Sequence, residues 1–78
     1  MRIESLDWMA IEHATLRVSA AEITEMFEDE PVFRRNKRYR AADYYAIGYT
    51  TAGKKIRVNF LYLPATGEAR PISAWEIR

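Results

Sequence analysis

The stretch "YYAIGYTTAGKKIRVNFLYL", residues 44–63, decides the fold, because its apolar residues recur at every second position. A period of two belongs to a strand, whose side chains point to opposite faces in turn. "YYAIGYT" (44–50) sets Tyr45, Ile47 and Tyr49 on one face, the face expected to enter the core. "IRVNFLYL" (56–63) sets Ile56, Val58, Phe60 and Tyr62 on one face and Arg57 and Asn59 on the other. Between the two runs "TTAGKK" carries Gly53, which supplies the left-handed residue of a short hairpin.

Working outward, "PATG" (64–67) reads as a second turn, with Pro64 early and Gly67 at its exit. "RPISAW" (70–75) reads as the next strand, with Pro71 near its start, where a missing amide does least harm. On the other side "PVFRR" (31–35) adds a strand, and before it the period lengthens to about 3.6. There Val18-Ser19-Ala20-Ala21-Glu22-Ile23 has the pattern of a capping box, with Val18 and Ile23 placed for a hydrophobic staple. Ile23, Met26 and Phe27 follow at helical spacing, and the helix is expected from Ala20 to Asp29, stopping before Pro31. A shorter helix is expected around Met9 to Leu16, with Trp8, Ile11 and Leu16 inward, after a short strand within residues 1–6. The class is α+β: two N-terminal helices packed on one face of a three- to four-stranded antiparallel meander.

Seventy-eight residues give room for one domain. There is no cysteine, which removes disulfides, thiolate metal sites and thiol nucleophiles and suits a reducing cytoplasm. Glu4 and Asp7 interrupt the apolar core a signal peptide would need, and no apolar run approaches the roughly 20 residues that span a bilayer. The net charge of +1 hides a segregation. Residues 1–33 hold two cations against eight carboxylates, a net −6, and residues 34–78 hold ten against three, a net +7. A basic half of this kind can present a polyanion site while the total stays near zero.

The residue types restrict the chemistry. His13 is the only histidine, and Glu12 beside it points about 100° away on a helix, so no metal-ligand set is formed. The three glycines are widely spaced and make no phosphate loop, so no cofactor is expected. What remains is cationic. RNA is cut without metal when a 2′-hydroxyl attacks its own phosphodiester, given a base, an acid and positive charge on the developing phosphorane. Arg34, Arg35, Lys37, Arg38, Arg40, Lys54, Lys55, Arg57 and Arg70 could supply that charge, and Tyr39, Tyr44, Tyr45, Tyr49, Tyr62 and Trp75 could stack on splayed bases. Two readings stay open for the run "FRRNKRYR" (33–40): a grip on a nucleic-acid backbone, or a solvated loop. Arg57 likewise either contacts RNA or solvates the outer sheet face. A non-catalytic interaction module fits the same composition, whereas no helix is basic enough for a major groove.

The order of motifs is informative beyond its parts. Trp8, "IEH" (11–13), "VSAAEITEMFEDEP" (18–31), "YAIGYTTAGKKIRVNF" (45–60) and "RPISA" (70–74) together resemble the BrnT-like family of bacterial type II toxins. The resemblance implies a RelE-like ribonuclease fold over residues 1–78. It also implies a cytoplasmic endoribonuclease that inhibits translation and is neutralised by a ribbon-helix-helix antitoxin. Arg70 matches the arginine of "R-x-I-S-A", Lys54 the basic residue after the turn glycine, and His13 a histidine of the first helix. On that basis Arg70 is expected to stabilise the transition state, Lys54, Arg38 and Arg40 to hold flanking phosphates, and His13 to act as base or acid, all around one cleft.

Overall fold

The computed structural model describes residues 5–6, 15–16, 18–37 and 42–77. Their order is β1 (Ser5–Leu6), β2 (Thr15–Leu16), α1 (Ala20–Glu28), β3 (Val32–Arg35), β4 (Tyr44–Tyr49), β5 (Lys55–Leu63) and β6 (Glu68–Glu76). Strands β3 to β6 form the expected antiparallel meander, and one helix packs on it, so the class is α+β. Both β1 and β2 run parallel to β6, with Leu6 opposite Ala69 and Leu16 opposite Trp75. The N-terminal helix expected over Met9 to Leu16 is corrected at its end: Thr15 and Leu16 are strand. Two residues held by the ladder of β6 satisfy their backbone there instead of in a helical turn. Residues 9–14 of that helix lie outside the described residues, and α1 is the only helix among those described.

Helix α1 begins as its sequence dictates. Ser19 Oγ accepts from the Glu22 amide at 3.1 Å, and Glu22 Oε1 accepts from the Ser19 amide at 2.9 Å. Val18 and Ile23 are both buried, as a staple requires. The helix ends at Asp29, and Glu30 turns the chain with φ 48° before Pro31.

Register fixes which side of the sheet meets the helix. Tyr44 lies opposite Phe60, Ala46 opposite Val58 and Gly48 opposite Ile56. These share a face, and Ala46, Ile56, Val58 and Phe60 are fully buried with Ile23 and Met26. Phe60 is the hub, with Phe27, Phe33 and Tyr44 ring centroids 5.8–6.0 Å away. Gly48 lets the helix come close, since a Cβ there would meet Met26 Cγ at 2.7 Å and Sδ at 2.9 Å.

The expected phase of β4 is therefore corrected. Tyr45, Ile47 and Tyr49 face away from the helix, and the small residues Ala46 and Gly48 face it. The close approach of Met26 leaves no room there for a tyrosine. In β6 Pro71 stands mid-strand and fully buried, beside an irregularity between the Asn59 and Phe60 registers that leaves Ile72 unpaired. A bulge is where a strand tolerates a residue without an amide.

Candidate functional site

The outer face of the sheet carries the odd-numbered residues of β5 and their neighbours. Arg57 lies opposite Ile47 on one side and Trp75 on the other, and Asn59 lies between Tyr45 and Ser73. Strand alternation thus lifts Arg57, Asn59, Tyr45, Ser73 and Trp75 onto one surface. The Arg57 guanidinium sits over the Tyr45 ring, 3.8 Å from its centroid, and 5.5 Å from that of Trp75. Contacts of this kind contribute about 0.5–2 kcal/mol, according to how dry they are.

Three hydrogen bonds fix the same group in its plane. Nη2 donates to Asn36 Oδ1 at 3.0 Å and to Asn59 Oδ1 at 3.3 Å, and Nε donates to Asn59 Oδ1 at 3.3 Å. Asn59, only 8% exposed, donates to Ser73 Oγ at 3.1 Å. Asn36 donates in turn to the carbonyls of Ala42 and Tyr44 and to Asn59 Oδ1, and its amide donates to the Asp43 carbonyl. Asn36 thereby ties the end of β3 to residues 42–44 at the start of β4. All of the acceptors around Arg57 are neutral amides, and among the described residues no carboxylate pairs with it.

The other cations divide between the two faces. Arg34, opposite Tyr45, is exposed on the outer face at the edge strand, where Nη1 donates to the Phe33 carbonyl. Arg70, opposite Leu61, is also on the outer face, because its neighbours Ala69 and Pro71 are buried against the helix side. From Arg57 it stands four β5 residues away, roughly 13 Å along the strand. Lys55 lies over the ring of the half-exposed Tyr49, 6.0 Å from its centroid. Arg35 instead stands on the helix side beside Tyr44. Lys37 is exposed at the start of the loop.

Lys54 is not in the outer-face cluster. Its Nζ pairs with Glu22 of α1 at 3.2 Å, and its amide is held by Thr50 Oγ1 within the hairpin turn that Gly53 closes with φ 85°. It lies on the helix side, roughly 23 Å along β5 from the level of Arg70. The expected cleft shared by Arg70 and Lys54 is therefore not formed: opposite faces and opposite ends of one strand separate them. His13, Arg38 and Arg40 lie outside the described residues.

The Ser19 amide, and after it the Lys54 ammonium, hold the Glu22 carboxyl below the ordinary glutamate value, against an opposing push from burial. The groove beside that end of the hairpin is lined by Glu25, Glu28, Asp29, Thr50 and Thr51. Its charge suits no polyanion. Among the described residues no group of three or more His, Asp or Glu side chains could hold a metal ion. No described helix is long and apolar enough to cross a membrane.

Sequence reasoning missed Asn36 and underused Asn59. The available signal was one amide inside the apolar run of β5, on the same face as Arg57. The arrangement defines an α+β domain with a cationic, aromatic sheet face. Set against models of protein families, curated proteins and solved structures, the chain matches none of them.

Proposed function

We propose that this chain is a BrnT-like, metal-independent endoribonuclease toxin of the cytoplasm, restrained by a ribbon-helix-helix antitoxin, and that it holds single-stranded RNA on the outer face of its sheet. The observation that carries the RNA reading is the Arg57 guanidinium, stacked on Tyr45, close to Trp75 and paired with no carboxylate among the described residues. Base stacking and phosphate attraction are the two things a single strand offers any protein. The ordered motifs from Trp8 to Ala74 support the cleavage reading.

In the reaction the 2′-oxygen attacks phosphorus and the P–O5′ bond breaks. The 2′-hydroxyl proton passes to a base and the 5′-oxygen takes up a proton, leaving a 2′,3′-cyclic phosphate and a 5′-hydroxyl. Arg57 and Arg70, on one face, would carry the developing charge. Lys54, committed to Glu22, would hold the helix against the hairpin.

Full-length protein incubated with end-labelled single-stranded RNA in EDTA should release cyclic-phosphate ends, and Arg70→Ala and Arg57→Ala should each suppress the release. Cutting that needs a divalent ion, or that survives both substitutions, rejects this mechanism. The separation of Arg70 from Lys54 favours a second reading, an RNA-binding relative that does not cut. The same assay then gives a retarded but intact RNA, and expression without a partner leaves growth unaffected.

A further inference from the structure

We infer that the Arg57 cluster is a site for one nucleotide unit, in which Arg57 Nη1 takes a phosphate oxygen and Trp75 takes the unpaired base. The inference rests on the RNA reading of the outer face and names the unit that face is built to hold. Nη2 and Nε are spent on Asn36 and Asn59, whereas Nη1 makes no hydrogen bond among the described residues. A guanidinium has donors along its whole edge, so Nη1 keeps its N–H groups to offer a ligand.

The identity of the holding groups is the stronger argument. A carboxylate would fix an arginine as well as an amide does, but it would also neutralise the guanidinium charge. Here both holding groups are amides, which fix the plane and leave the full positive charge for a ligand. Tyr45 backs the guanidinium from one side, so its direction is set before any ligand arrives. Ser73 Oγ accepts from Asn59, which leaves its own O–H to donate. Trp75 stands across the strand pair from Arg57, within reach of a base whose phosphate is on Nη1.

The site makes Asn59 a positioning residue whose replacement by aspartate is nearly free of geometric change. In Asn59→Asp one oxygen still accepts from Arg57 and Asn36, and the second accepts from the Ser73 hydroxyl in place of the amide that donated to it. The charge beside the guanidinium changes, and the Ser73 O–H is turned from the ligand to the new carboxylate.

The test is a titration of the ¹⁵N-labelled full chain with adenosine 5′-monophosphate, inorganic phosphate and adenosine, following Arg57 Nε–H and Trp75 Nε1–H. The monophosphate should move both signals and bind at least about fivefold tighter than phosphate, the gain expected from one stacked base. Phosphate should move Arg57 alone. Asn59→Asp should weaken the monophosphate at least about tenfold with the backbone spectrum otherwise retained, and Arg57→Gln, which adds no buried charge, should do the same. Equal affinity for monophosphate and phosphate, a silent Arg57 signal, or undiminished binding in both variants overturns the site. RNA cleaved in EDTA while the monophosphate leaves Arg57 silent overturns this inference alone. Monophosphate bound at Arg57 while RNA stays intact overturns cleavage alone.

Discussion

The two faces of β5 differ in nearly every physical respect, although their residues alternate along one nine-residue strand. Ile56, Val58 and Phe60 point into a dry layer sealed by α1, and Arg57 and Asn59 point into a hydrogen-bonded layer of amides, a hydroxyl and aromatic rings. The first layer holds the chain folded by removing apolar area from water. The second contributes little to that and instead keeps a charge in one place. Stability and recognition are thus interleaved at a period of two, so substitutions one position apart should have opposite signatures.

Phe60→Ala should have the largest effect. Loss of a fully buried ring at the centre of the aromatic cluster costs about 3–5 kcal/mol, much of what a small domain has, and urea unfolding should show it. Gly48→Val comes next at about 1–3 kcal/mol, because the new carbons collide with Met26 and Pro31; an unchanged urea midpoint would mean the helix is not seated as described. Ser19→Ala should cost about 1 kcal/mol through removal of the cap, read from the same curves.

A pH series sharpens the role of the Lys54 pair. The folded-state pKa of Glu22 is lowered, so its contribution is complete above the unfolded value of about 4.3 and fades as pH falls through the lower folded value. The stability difference between wild type and Glu22→Gln should therefore shrink on acidification from pH 6 to pH 3. A constant difference would show that the carboxylate is not held by Ser19 and Lys54. Arg57→Gln leaves the dry layer intact and should act on binding, lowering the salt slope of RNA binding by about 0.7 for each phosphate no longer neutralised. An unaltered slope would make the outer face a solvated surface.

Much of the fold was legible because its signals are local. The capping box needs only Ser19 and Glu22, the hairpin only Gly53, and the alternation of Ile56, Val58 and Phe60 only their spacing. The phase of β4 was not legible, because periodicity gives two faces without saying which is buried. Three large residues at 45, 47 and 49 outweigh two small ones by hydrophobicity, yet the small ones are inward, since the distance to Met26 sets the size allowed. The pairing of β1 and β2 with β6 was also hidden, as two-residue strands carry no period. The Arg57 site was half legible. Arg57 and Asn59 could be placed on one face, but Asn36 joins them only through the register of three strands, and the separation of Arg70 from Lys54 follows from the length of β5.

The parallel pairing of β1 and β2 with β6 has a temporal consequence. A ribosome delivers Leu6 sixty-three residues before Ala69, its partner, an interval of roughly 3–13 s at about 5–20 residues per second. Throughout that interval the leading segments have no partner in β6, and Arg57 emerges before Ser73 and Trp75 exist. A nascent chain can assemble its helix and first hairpin early, but it acquires its finished outer surface only when synthesis of β6 is complete.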